Sequence, residues 1–282
     1  GTIREIGVHV HRDALRAPNA DNAAIDGDDA SASAKTPPNR VGNYCQIFQD
    51  TIFVSGRAEV VDKAGMKSAM AYNKAKSYKE LMRDMEKMVV SNNVAVLGSG
   101  VAAAKATGLG PLIYTNANHG AGGSTVAHTS GVASVAPTAG TARAFSKTIY
   151  DAAVQATYIS AGKVPKAVYM SPAHKALAST FTGIASNRYE VKGTNQGAII
   201  GGADVYVSDF GAMTHVPHYM MAGSTLVYGL DLSEIKMAYL RPFFSQKLGA
   251  SGDSVKEQVI VDVTLRLEAE KACFKIADLS GG

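Results

Sequence analysis

The sequence predicts an α+β fold, and three observations carry that prediction. Residues 66–93 repeat apolar side chains at helical spacing, 259–268 alternate strictly between apolar and polar, and 167–184 run strand, helix cap and helix in succession. With 282 residues, 46% of them hydrophobic and 18% charged, the chain can bury a substantial core and leaves little room for long disordered stretches.

The elements follow in chain order. Residues 1–42 hold few large apolar side chains after Leu15 and collect Ala, Asn, Asp, Ser and Pro, so this stretch reads as an extended arm. Such a segment cannot offset its own ordering entropy and must lie against something else, a second subunit included. Residues 44–61 (YCQIFQDTIFVSGRAEVV) are aromatic and β-branched with a break at Ser55-Gly56, which predicts a β-hairpin or two extended strands. An isolated hairpin is marginal in water, so it too needs outside support. The helix over 66–93 carries Ala71, Ala75, Tyr78, Met82, Met85 and Val89 on one face, opened by Gly65 and closed by Asn92-Asn93. From 94 to 140 glycine, alanine, serine and threonine predict loops with short strands.

Residues 141–161 predict a second helix, with Phe145, Ile149, Ala153, Ala156 and Ile159 on one side and Gly162 and Pro165 ending it. The strand AVYM follows, then Ser171 as helix cap with Pro172 at the first helical position and a third helix reaching Ile184. Short strands are expected over 189–230 and an extended segment over 236–248, where Pro242 marks an edge or bend. In 259–268, Val259, Val261, Val263, Leu265 and Leu267 line one face, while Asp262, Thr264, Arg266 and Glu268 line the other.

Composition narrows the function. Cys45 and Cys273 have no metal spacing and read as buried, reduced thiols, which points to synthesis in a reducing cytoplasm. No apolar run approaches the ~20 residues that cross a bilayer, so no membrane partner is expected. The first residue is Gly1 and not Met, so an N-terminal piece is expected to be missing. The net charge of +4 is modest, but 63–87 hold seven bases (Lys63, Lys67, Lys74, Lys76, Lys79, Arg83, Lys87) against Glu80, Asp84 and Glu86. This reads first as a solvated helix face, and second as a surface turned toward DNA.

No reactive constellation emerges. The stretch 98–108 (GSGVAAAKATG) lacks the GxxxxGK followed by Ser or Thr of a phosphate loop, and 120–125 (GAGGST) lacks the lysine. A nucleotide-binding α/β enzyme built on 98–123 is the rival reading, and an adhesive β protein a third. His9 with His11 and His215 with His218 lack supporting metal ligands, Asp26, Asp28 and Asp29 lack the closing glutamate of a calcium loop, and 249–252 do not form a nucleophile elbow. The chain is therefore read as no enzyme, with no cofactor and no metal.

Several strings nevertheless form a pattern: NADNAAIDGDD, NRVGNYCQIFQDTIFVSG, ELMRDMEKM, DVYVSDFG, AYLRPF and GDSVKEQVIVDVTLRLEAEKA, in that order and spacing. Together they resemble the major capsid proteins of tailed bacteriophages with the Hong Kong 97 type of fold, in particular the podophages with elongated heads; the likeness runs from about His9 to the end, with a poor match over 117–137. The resemblance implies an N-terminal arm over 1–42, an extended β-hairpin loop over 43–65, a peripheral domain with a long spine helix over 66–140, an axial domain over 141–230 and returning peripheral strands over 231–282. It implies a structural protein that self-assembles into hexamers and pentamers of an icosahedral shell around double-stranded DNA, in the virion, after assembly in the host cytoplasm. Many copies of the chain are then its partners, with portal, scaffold and decoration proteins beside them. On that footing Phe48, Ile52 and Phe53 are expected to cover a neighbour, Arg57, Glu59, Asp62 and Lys63 to pair across the seam, and Lys74, Lys76 and Lys79 to face the lumen.

Overall fold

A computed structural model describes residues 7–13, 15–27, 29, 35, 37–61, 65, 67–181, 204–249 and 252–282. Its backbone is organised by one hairpin of two long strands, Ile235–Lys247 and Ser254–Leu267, with Gln46–Ser55 added along the free side of the second. The middle strand alternates apolar side chains from Val259 to Leu267, so Val259, Val261 and Val263 are fully buried on one face. The helix Ala69–Val89 lies on that face: Leu81 meets Ile52, Val54 and Val259, and Met85 meets Val261 and Val263. Pro242 falls where the outer strand loses register, between Tyr239 and Phe244, because proline cannot donate to the ladder.

A second body is a six-stranded sheet in the order Ala117–Asn118, Phe274–Ile276, Val227–Leu230, Ala167–Met170, Gly211–Pro217 and Val205–Ser208. The helices Lys147–Ala161 and Pro172–Ala178 pack on it around Tyr150, Val154, Val168, Met170 and Phe274. Ser146 and Ser171 cap their first turns, and Gly162 closes the longer helix in the left-handed region at φ 68°. A cluster containing Leu109, Ile113, Tyr228, Leu230, Leu265 and Leu267 joins the two bodies. A third sheet of four short strands, with Gly7–Arg12, Asn39–Tyr44 and Val132–Val135 in sequence, lies at the Leu267 end of the long hairpin.

Several expectations change. The stretch 44–61 is no self-paired hairpin: its strand Gln46–Ser55 pairs antiparallel with 254–263, and the break at Ser55 starts the short helix Gly56–Val60. The long helix starts after Ser68 and buries Ser77, Leu81, Met85 and Met88, leaving Ala71, Ala75 and Met82 exposed. In the second helix the buried side is Tyr150, Ala153, Val154 and Thr157, while Ile159 faces water. The third helix ends at Ala178, and the expected strands over 189–203 lie outside the described residues. The last strands split: 254–267 stay with the long hairpin, whereas Phe274–Ile276 enter the six-stranded sheet and Leu279–Ser280 pair with Arg143–Ala144.

Candidate functional site

The glycine-rich region has a packing explanation. A Cβ on Gly108 would stand 2.3 Å from the Ser91 carbonyl oxygen, and one on Gly110 would stand 2.2 Å from Asn92 Oδ1. Both glycines let the turn at 108–112 sit flush on the end of the long helix, so their residue type follows from close backbone approach. Lys275 Nζ, fully buried, donates to the Gly110 carbonyl at 2.7 Å, and burial pushes its ammonium down to about 8. No group of three or more potential metal ligands occurs among the described residues. His215 is instead buried 2.9 Å from Tyr150 Oη, and His218 reaches Glu86 at 2.9 Å.

The residues expected at subunit contacts fare differently from one another. Ile52 is 6% exposed and packs under Leu81, and Phe48 is half-buried against the same helix, so both side chains cover their own subunit. Phe53 points the other way and is 60% exposed, because neighbours along a strand face opposite sides. Lys256 Nζ stands 5.8 Å from the centre of its ring. Arg57 is exposed on the short helix. Glu59 acts within its own subunit, where its Oε2 accepts from the backbone N–H groups of Ala69 and Met70 at 3.1 and 3.3 Å and its Oε1 accepts from Ser68 Oγ at 2.5 Å. Glu59 thereby supplies the negative charge that the first turn of the long helix lacks. Asp62 and Lys63 lie outside the described residues.

The lysines expected to face DNA also separate. Lys74 Nζ bridges from the long helix to Glu257 on the middle strand at 2.7 Å, and that contact holds the Glu257 carboxyl below its usual range. Lys76 and Lys79 are exposed, Lys76 standing 3.5 Å from Glu80 one turn on. Arg83 extends their row at i+4 from Lys79 and is exposed as well.

Sequence reasoning missed a ladder of amides across the outer face of the long sheet. Gln246 Nε2 donates to Gln258 Oε1 at 3.2 Å, and Gln258 Nε2 donates to Gln49 Oε1 at 2.9 Å. Gln246 and Gln258 stand directly opposite, while Gln49 meets Gln258 on the diagonal, and because the partner strand of Gln49 lies about two hundred positions away the ladder has no local signal in the sequence. The far end of this sheet therefore presents Phe53, Lys256 and Arg57 on a rigid polar-laced frame.

Comparison with solved structures finds the same fold in several shells. The capsid asymmetric unit of cyanophage A-1(L) superposes with a TM-score of 0.60 at 11% identity, covering 98% of this chain and 89% of that one. A chain of the capsid of an empty GTA particle gives 0.55 at 14% identity over 99% and 87%, and one from the Mycobacterium phage Adephagia gives 0.53 at 13% over 96% and 84%. No curated protein matches the sequence. Residues 4–280 match the SU10 major capsid protein family, nearly the whole length, and the nucleotide-enzyme reading gains no support. The long strand hairpin backed by a long helix and the second sheet with its own helices are thus shared with capsid chains, and the family match over residues 4–280 shows that this chain belongs to the SU10 major capsid protein family.

Proposed function

We propose that the chain self-assembles into the hexamers and pentamers of an icosahedral shell that encloses double-stranded DNA, in the virion of a podophage with an elongated head, after assembly in the bacterial cytoplasm. On this reading the long hairpin, Gln46–Ser55 and the long helix form the peripheral domain, and the six-stranded sheet with its helices forms the axial one. The strand Phe274–Ile276 belongs with the axial domain, since it pairs there. Portal, scaffold and decoration proteins are the further partners of such a shell. The observation that carries the reading is the far end of the long sheet, where Phe53 is held out to solvent by a strand whose opposite side chains, Ile52 and Val54, pack against Leu81 and Val259. A large aromatic side chain on a rigid rim is the kind of group that anchors interfaces.

The expressed chain is expected to form particles by negative-stain electron microscopy. Phe53→Asp is expected to abolish them while the purified subunit unfolds within about 0.5 kcal/mol of the original, because the exposed ring contributes little to the fold. Normal particles from that variant would reject this role for the sheet end.

The row Lys76, Lys79 and Arg83 favours a second reading for the outer face of the long helix, as the surface toward the packaged polyanion. Neutralising phosphates needs charge without base contacts, so no sequence preference is expected. Charge reversal by Lys76→Glu with Lys79→Glu is expected to leave shells that assemble but fill poorly with DNA, measured as the ratio of full to empty particles. Unchanged filling would remove the idea.

A further inference from the structure

Arg12 turns inward where the pattern of its strand calls for an apolar residue. Val8, Val10 and Arg12 share one face of Gly7–Arg12, and that face lines a small cavity of about 10 Å³ against Leu112, Leu265 and Leu267. Arg12 Nη2 donates to the Leu267 carbonyl at 2.9 Å. Its Nε and Nη1 are shielded from water without an acceptor, and no carboxylate pairs with it among the described residues. The Tyr114 ring, centred 5.8 Å from the guanidinium carbon, covers it from another side. Arg266, on the middle strand of the long hairpin, lines the same cavity with the same shortage: its Nη2 meets Glu268 at 2.7 Å, and its Nε is buried without a partner.

The charges around the cavity do not balance. Glu268 is shared between Arg266 and Lys236, at 2.7 and 2.9 Å, and Glu270 accepts from the backbone N–H and the hydroxyl of Thr115. Arg12, Arg266 and Lys236 thus stand against two carboxylates, while Asp13, just past the strand, is exposed to water. His128 lies on the Tyr114 ring at 4.5 Å between centres and adds no negative charge. Loss of water holds its imidazole below the ordinary value, and the Arg12 charge pushes the same way against Glu270.

A guanidinium withdrawn from water needs acceptors for its N–H groups and a counter-charge. A water molecule supplies the first and not the second. The cavity has room for about one particle of that size, and a halide ion meets both needs with a single atom. We propose that this cavity is a structural anion site, in which one chloride accepts from Arg12 and Arg266 and pins the strand Gly7–Arg12 onto the end of the long hairpin. The site goes beyond the shell reading and does not depend on it, since every group belongs to one subunit.

The test follows thermal unfolding of the full-length chain as chloride replaces gluconate at constant ionic strength. The midpoint is expected to rise by about 3–5 °C once chloride stands about tenfold above its Kd. In the same solutions the chloride NMR line is expected to broaden, and bromide to remove the excess width by competition. Arg12→Met is expected to abolish both responses and, in gluconate, to unfold no earlier than the unaltered chain, because it removes a buried charge that lacks a partner. Arg266→Gln is expected to shift the response to about tenfold higher chloride, and Lys79→Met, on the exposed helix face, to leave it as it was. An unaltered chain whose midpoint and line width ignore chloride overturns the site and leaves water as its filler. A response that persists in Arg12→Met, or that Arg266→Gln leaves undiminished should Arg12→Met not fold, places the anion elsewhere and overturns it as well.

Discussion

His215 lies sealed in the core of the six-stranded sheet, its Nε2 2.9 Å from Tyr150 Oη and its Nδ1 without a hydrogen-bond partner. Burial pushes its imidazole down to about 4, Lys175 nearby acts in the same direction, and Asp204 opposes it weakly. The folded chain therefore holds the neutral ring, whereas the unfolded chain takes up a proton near the ordinary value of 6.5. Between those two values the unfolded state binds more protons, so stability rises with pH across that window and is lost as pH falls through it. The contribution is full above about 6.5, and its loss amounts to on the order of 3 kcal/mol by pH 4. In equilibrium denaturation at pH 7, 5.5 and 4, His215→Gln is expected to flatten this slope relative to the unaltered chain; an identical slope would place the acid sensitivity elsewhere. His119, His128 and His174 are shifted downward from the ordinary imidazole value with the same leading cause, loss of water around the ring, so the acid response of the molecule is shared.

At the scale of elements, the long helix was legible and its edges were not. A 3.6-residue repeat fixes a helix regardless of what covers it, and the strand Ser254–Leu267 was legible for the parallel reason that its alternation is local. The stripe slipped by one row because the buried face is completed by Leu81 and Met88, and because Ser77 is buried against expectation for its polarity. The start of the helix depends on Glu59, which precedes Ala69 by ten residues and reaches it from the short helix Gly56–Val60; no capping rule based on adjacent residues identifies that donor set. Of the candidate contacts, Phe53 could be separated from Ile52 only once the facing strand was known, since alternation assigns two faces without saying which one is covered. Glu59→Gln keeps the shape and removes the charge, and Ser68→Ala removes the side-chain oxygen that accepts from Ala71 N at 3.1 Å. Each is expected to cost about 1 kcal/mol in denaturant unfolding, against less than about 0.5 kcal/mol for Lys79→Ala on the exposed face. Equal effects for all three would mean that the helix start is held by packing and not by its caps.

At the scale of the whole molecule, the long hairpin and the six-stranded sheet share one apolar seam, the cluster that holds Leu109, Ile113, Tyr228, Leu230, Leu265 and Leu267. That seam was not readable from the sequence, because its members come from segments far apart in the chain, just as the pairing of Gly7–Arg12 with Asn39–Tyr44 was not. Leu265 is 1% exposed on the middle strand of the hairpin, and Tyr228 is fully buried on the six-stranded sheet. Leu265→Ala therefore removes apolar contact from both bodies at once and is expected to cost about 2–5 kcal/mol in denaturant unfolding. One transition moved to lower denaturant, with tyrosine fluorescence and far-UV circular dichroism coinciding, is the expected result. Two separate transitions of which only one moves would show that the bodies unfold independently of this seam.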